Sequence, residues 1–295
     1  MNSVSFPNLG WSFNINETAF TIFGRDIAWY GVIVTTAIIA AVIYVYRRSK
    51  KDGIITDDFL DIAIFTVISG VVGARLYYVL TSLDRYDSFW DVFKVWEGGL
   101  GIYGGIIGGA AAAIGVLLYK KMNVLKFFNG LAPACMLGQI IGRWGNFMNA
   151  EAYGSVESFE FFGKTFDISG SKTMPWIMEV VEADGPVLCQ PTFLYECLWN
   201  LIGFVLINIF YKKKKYDGQP VLWYLAWYGF GRMFIEGLRT DSLYVGGVKI
   251  SQLIGAVCVV VCVALLVIFK IKNIHNDNPL YREVKTEEVK NGDID

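Results

Sequence analysis

The chain has 295 residues, of which 54% are hydrophobic and only 18% charged, with a mean hydropathy of +0.43 and a net charge of −1. Soluble domains carry about 25% charged residues, so this composition excludes an ordinary soluble globular protein and places the chain in the membrane class. The absence of a polybasic block argues against a nucleic-acid partner, and the single histidine, His275, argues against metal catalysis.

Residues 1–26 show no basic segment followed by a cleavage site, so no removed signal peptide is expected. The stretch FPNLGWSFNI (6–15) is apolar but too short to span, and is expected at the outer interface, where Trp and Phe are at home. A bilayer core takes about 20 apolar residues per helix. Segments 27–46, 100–119 and 250–269 qualify without internal charge; 59–83, 127–147, 191–211 and 219–238 qualify with charges inside. The reading is an all-α polytopic membrane protein with seven transmembrane helices. The first, third and fifth loops hold Arg47, Arg48, Lys50 and Lys51, then Lys120, Lys121 and Lys126, then Lys212 to Lys215. The intervening loops are poorer, with Arg85 and Lys94 in one and Lys164 and Lys172 in another. The basic loops are cytoplasmic by the positive-inside rule, which puts the N-terminus outside and the C-terminus in the cytoplasm. Residues 150–190 form one outer insert, whose SFEFFGKTFDI alternation predicts a short β-hairpin. Residues 1–272 read as a single transmembrane domain and 273–295 as a charged, disordered tail. No transporter-type internal repeat is visible. The five cysteines form no CxxC pair, so no zinc site or disulfide framework is expected.

An arginine at bilayer depth costs about 2.5–3.5 kcal/mol on insertion scales, so each buried charge needs a partner or a guest. Arg75, Arg143, Glu196, Arg232 and Glu236 all fall within apolar segments. Tyr228, Arg232 and Glu236 lie at i, i+4 and i+8 on one helix face, and Arg239 joins them one turn on. Tyr78 follows Arg75, and Asn146 follows Arg143, by three residues. Ion pairing between helices is the plain reading of such charges. Arginines outnumber nearby acids in the outer half, however, and Arg143 and Arg232 look under-neutralised. A guanidinium fork suits phosphate oxygens, so the pocket is expected to take a phospholipid headgroup. In GGLGIYGGIIGGAAAAIG (98–115), Gly101, Gly105 and Gly109, and likewise Gly104 and Gly108, recur every four residues, as in close helix packing. Gly138, Gly142 and Gly145 form a similar stripe. Gly98 and Gly99 read either as part of the packing or as a loop whose backbone N–H groups approach a ligand.

The stretch GRWGNFMNAEAYG (142–154) resembles the GRxGNFxNxExxG signature of bacterial prolipoprotein diacylglyceryl transferases, matching at Gly142, Arg143, Gly145, Asn146, Phe147, Asn149, Glu151 and Gly154. WYG (29–31), GARLYYVL (73–80), QPTFLYE (190–196) and WYGFGRMFIEGLRTD (227–241) are similar to further family blocks in the same order. The resemblance covers residues 5 to about 270. It implies transfer of the diacylglyceryl group of phosphatidylglycerol to the lipobox cysteine of a preprolipoprotein, at the outer leaflet of the bacterial cytoplasmic membrane and without a cofactor. It assigns catalysis to Arg143 and Arg232, with Tyr103, Glu151 and Glu236 as unranked acceptors of the thiol proton. It assigns substrate binding to Arg143, Asn146, Tyr30, Gly154, Tyr228, Arg75 and Arg239. Gly154 is expected to permit an unusual turn. Tyr103-Gly104-Gly105 stands where the family often has HGG, so either a tyrosine serves in place of that histidine or the histidine is not the sole base. Gln190 likewise replaces a family histidine. A phospholipid carrier or scramblase, or an inactive relative, would use the same basic cavity without making a bond.

Overall fold

The structure is a computed structural model that describes residues 2–83, 86, 88–94, 98–182 and 185–275. Arg85 and most of the expected tail, 276–295, lie outside the described residues.

The chain opens with four strands, β1 (Asn2–Phe6), β2 (Trp11–Ile15), β3 (Thr18–Ile22) and β4 (Arg25–Ala28), before two helices, α1 (Trp29–Lys51) and α2 (Thr56–Thr81). Next come α3 (Ile102–Tyr119) and α4 (Val124–Met148). The insert holds β5 (Ser158–Phe161), β6 (Lys164–Asp167), β7 (Met178–Glu182) and β8 (Gly185–Cys189). Helices α5 (Thr192–Phe210), α6 (Gln219–Leu238) and α7 (Ile250–Ile271) complete the chain, with a two-residue-per-strand hairpin, β9 (Tyr244–Val245) and β10 (Val248–Lys249), before α7. The protein is mostly helical, and six helices are long and apolar enough to cross a membrane: all except α6. Helix α6 is long enough but carries Arg232, Glu236, glycines and aromatics along its length, which keeps it below the hydropathy of the others.

The described residues fall into two compact units, 2–45 with 129–275, and 46–128. In the second unit, Asp57 and Asp58 lie in the first turn of α2, where carboxylates favour the positive end of the helix dipole. Helices α2 and α3 meet through glycine. A Cβ on Gly73 would strike the Gly104 carbonyl, and one on Gly108 would strike the Ser69 carbonyl. The four-residue glycine spacing of α3 is therefore a packing face, as its sequence predicts.

In the first unit the expectation of an all-α fold is corrected. Strands β1, β2, β7 and β8 form an antiparallel sheet in the order β2-β1-β7-β8, with Val4 opposite both Phe13 and Val180. Val4, Met178, Val180 and Cys189 are buried there against Phe193 of α5. The N-terminal stretch 6–15, expected at the interface, holds the end of β1, a 3-10 turn at Pro7–Leu9 and β2, which pairs with β1. Residues 27 and 28, expected in the first span, belong to β4. The hairpin predicted at 158–168 is present as β5–β6, turning through Phe162 and Gly163 with φ of 47° and 78°, the left-handed pair of a tight hairpin turn. It is clamped by Gln252 of α7, which donates to the Glu160 carbonyl at 2.7 Å and accepts from the Phe162 N–H at 3.1 Å.

Candidate active site

Three helix ends of the first unit converge on Glu196. Arg143 sits in the last two turns of α4, Glu196 in the first turns of α5, and Arg232 and Glu236 near the end of α6. Glu196 Oε1 accepts from Arg143 Nη2 at 2.5 Å, and its Oε2 accepts from Arg232 Nη1 at 3.0 Å. Arg232 Nη2 lies 2.5 Å from Glu236 Oε2, an ion pair at the i, i+4 spacing of one helix face. Arg239 Nε lies 4.0 Å from the same oxygen, and Arg239 grips Asp241 through two bonds of 2.9 and 2.6 Å. Burial works to raise the Asp241 carboxyl, but the Arg239 guanidinium outweighs it and holds the group below the usual carboxylate range.

The expectation that Arg143 and Arg232 are under-neutralised is therefore corrected. Glu196, a charge noted in the sequence but given no role, is the hub that neutralises both. The cluster is nevertheless polarised. The Glu196 and Glu236 side chains are each 3% exposed, whereas those of Arg143 and Arg232 are 19% and 16% exposed. The arginine side chains are thus the more accessible members of the cluster.

The signature stretch extends this cluster. Arg143 Nη1 donates to Asn146 Oδ1 at 3.3 Å, and Asn146 Nδ2 donates to Glu151 Oε1 at 3.0 Å. Asn149 Nδ2 donates to the same oxygen at 3.3 Å. Glu151 pairs with no cation among the described residues. It stands between Ala150 and Ala152, both in the left-handed region at φ 52° and 58°. That conformation costs an L-residue about 1–2 kcal/mol, and it turns the chain out of α4 with Glu151 at the corner. The unusual backbone expected at Gly154 thus sits at the two alanines. Gly154 meets a different need, a close approach of chains. It exchanges backbone bonds with Gln190 at 2.9 and 2.8 Å and bridges to Arg239. A Cβ there would come within 2.9 Å of Thr192 Cγ2 and 3.0 Å of Leu238 Cβ. Gln190 itself is buried, donating to Ser171 Oγ at 2.8 Å and accepting from the Tyr195 hydroxyl at 2.5 Å.

Gly145 has a similar use. A Cβ on it would lie 2.8 Å from the Tyr30 ring, so the glycine lets Tyr30 lie flat on α4 within the field of Arg143 and Glu151. Its stripe partners Gly138 and Gly142 face open space instead, with nothing within 4 Å of an added Cβ. Tyr228 sits against Arg143, Arg232 and Glu196. Arg143, Asn146, Glu151, Gly154, Tyr30, Tyr228, Arg232, Glu236 and Arg239 all belong to the first unit.

Arg75 and Tyr103 belong to the second. Arg75 donates four hydrogen bonds of 2.6 to 3.1 Å to the carbonyls of Asp91, Val92, Gly98 and Gly99. Gly98 and Gly99 take φ of 88° and 70°, which turns their carbonyls toward this guanidinium. Tyr103 is half exposed and packs its ring 6.0 Å from that of Tyr77.

Apolar helices around a buried arginine–carboxylate cluster define a multi-pass membrane protein. The family model described as LGT, prolipoprotein diacylglyceryl transferase, matches residues 17–268. Three relatives carry the name phosphatidylglycerol–prolipoprotein diacylglyceryl transferase. That of Clostridium kluyveri is 38% identical over 257 residues, covering 87% of this chain and 97% of its own. That of Listeria innocua is 34% identical over 276 residues, covering 93% and 96%, and that of Finegoldia magna is 37% identical over 265 residues, covering 89% and 99%. The chain belongs to the prolipoprotein diacylglyceryl transferase family.

Proposed function

We propose that this chain transfers the diacylglyceryl group of phosphatidylglycerol to the lipobox cysteine of preprolipoproteins, the first step of lipoprotein maturation. Residues 1–272 act as one catalytic domain crossing the bacterial cytoplasmic membrane seven times, N-terminus outside and C-terminus inside, with the site at the outer leaflet. The cysteine sulfur attacks the glyceryl carbon that carries the phosphate ester. The carbon–oxygen bond breaks, its electron pair leaves with the phosphate, a thioether forms, and glycerol phosphate departs. Negative charge grows on the departing phosphate, where Arg143 and Arg232 offer preorganised donors, each worth about 2–4 kcal/mol by analogy with oxyanion-hole groups. Tyr228 and Arg239 flank those arginines, and Asn146 and Tyr30 position Arg143. A free thiol has a pKa near about 8.5, so its proton needs an acceptor. Glu236 is tied to Arg232 by its ion pair, whereas Glu151 is exposed and held only by two side-chain amides. Glu151 is therefore the favoured acceptor ahead of Glu236 and Tyr103.

The observation that supports this reading is the convergence of two partly accessible arginines on one buried carboxylate. Its test is incubation of the purified protein with phosphatidylglycerol and a lipobox peptide, read by mass spectrometry. The expected result is a gain of one diacylglyceryl unit, and a rate reduced about 30- to 1,000-fold by Arg143→Ala. A peptide of unchanged mass would leave a lipid carrier or inactive relative in its place, and an unaffected Arg143→Ala rate would remove the arginine from the mechanism.

A further inference from the structure

The first unit carries a second feature, a groove among α5, α6 and α7 that starts one turn beyond Glu196, at Trp199, and runs away from it. Its volume is about 590 Å³. One wall is fixed by the indoles of Trp199 and Trp227, stacked 4.3 Å apart at 14°. Each ring N–H donates to the other residue's backbone carbonyl at 2.9 Å. With both donors used, this wall offers only hydrocarbon. On α5 the groove is lined from Trp199 to Phe210, which at 1.5 Å per residue is about 16 Å. That is about half of a ~30 Å bilayer core, the depth of one leaflet.

The groove shares Trp223 and Leu266 with a smaller cleft of about 230 Å³ that contains Lys215, Gln219, Lys270 and Asn273. Neither Lys215 nor Lys270 has an ion pair among the described residues. The nearby acid, Asp217, accepts from Asn129 at 2.8 Å and lies 3.8 Å from Lys214. An apolar slot one leaflet deep thus opens into a cleft with two ammonium groups that form no ion pair among the described residues.

We propose that groove and cleft together bind an anionic diacyl phospholipid, one acyl chain lying along Trp199–Phe210 and the phosphate held between Lys215 and Lys270. The apolar wall supplies area, and the lysines supply the selection for negative charge. The lipid comes from the leaflet that meets the α5–α6 connection. Its acyl chain ends at Trp199, one turn from Glu196, but its headgroup lies beyond Phe210, which is about 21 Å from Glu196 along α5, so the phosphate site is distinct from any at Glu196.

The test uses the full chain in phosphatidylcholine nanodiscs titrated with phosphatidylglycerol brominated on its acyl chains. The readout is the quenching component that Trp223→Phe removes. The midpoint is expected to weaken at least about tenfold in the Lys215→Gln/Lys270→Gln double variant and to return to the wild-type value in the Lys215→Arg/Lys270→Arg variant. Arg143→Ala is expected to leave it unchanged, whatever that substitution does to transfer. An unchanged midpoint in the glutamine variant, equal quenching by brominated phosphatidylcholine, competition by free glycerol phosphate, or a shift caused by Arg143→Ala would each overturn the proposal.

Discussion

Replacing Glu196 by Gln keeps the side chain's shape and removes the one charge shared by two arginines. Glu196 is 3% exposed, 2.5 Å from Arg143 and 3.0 Å from Arg232. Removing one partner of a buried ion pair costs about 3–5 kcal/mol, because the remaining charge is stranded away from water. Arg232 keeps Glu236 at 2.5 Å, and Arg143 keeps only neutral partners, Asn146 at 3.3 Å and the Tyr228 hydroxyl. The stranded charge is therefore one guanidinium, and the cost is expected at the lower end, about 3 kcal/mol. For a unit of this size that is roughly a 6–12 °C fall in Tm, measurable by thermal unfolding in detergent. A double-mutant cycle isolates the cause: Arg143→Met should cost less in the Glu196→Gln background than in the wild type, with a coupling of about 1–3 kcal/mol. Glu151→Gln is the control, since Glu151 is exposed and makes no ion pair among the described residues. An unchanged Tm for Glu196→Gln, or strict additivity with Arg143→Met, would refute the role of Glu196 as hub.

Gly104→Ala would push a methyl into the Gly73 carbonyl, a backbone group that cannot turn aside, and should cost about 1–3 kcal/mol in unfolding. Gly115→Ala meets nothing within 4 Å and should be neutral or stabilising by up to about 1 kcal/mol. The Cys189 thiol, pushed up to about 12 by burial and then by Glu182 and Glu179, should resist iodoacetamide at pH 8 in the native protein and react only on unfolding, as peptide mass spectrometry would reveal. Asp241 has its folded pKa below the unfolded one, so its contribution is complete above the unfolded value near about 3.9 and fades as pH falls through the folded value. Asp241→Asn should accordingly flatten the acid limb of a Tm-against-pH curve.

The helices were legible because each is a long, mostly apolar run, even where a few charges interrupt it. The α6 polar stripe was legible because residues 228, 232 and 236 share a helical face. The glycine face of α3 followed from spacing alone. What escaped depends on residues distant in sequence. Strand β1 finds its neighbour β7 more than 170 residues away, with Ser5 opposite Glu179. The alternation in SVSF was too short to call for a sheet without that partner. Glu196 was visible inside QPTFLYE, but its sharing by two arginines requires α4, α5 and α6 to converge, which no local pattern encodes. The left-handed φ at Ala150 and Ala152 left no trace either, because alanine seldom adopts it. Gly154 drew attention as a turn glycine, whereas its contacts show a crossing of backbones.

The corrected charge count changes how the site must hold an anion. Arg143, Arg232 and Arg239 face Glu196, Glu236 and Asp241, three cations against three anions, so attraction to net positive charge is not available. Balance is what permits these arginines to sit within apolar helices, since an unpaired one would carry the insertion penalty. Binding must then come from directed donors. A guanidinium has five N–H groups, and Arg143 bonds Glu196, Asn146 and the Tyr228 hydroxyl. A phosphate would have to take the N–H groups these partners leave over. Held there, it gains hydrogen bonds without displacing the carboxylates, and those carboxylates keep the guanidinium planes fixed. The acids that cancel the field are thus also what orient the donors. Arg143→Lys, which keeps the charge but not the fork, should for that reason lose nearly as much transfer rate as Arg143→Ala, and a lysine enzyme of near wild-type rate would show that charge alone suffices.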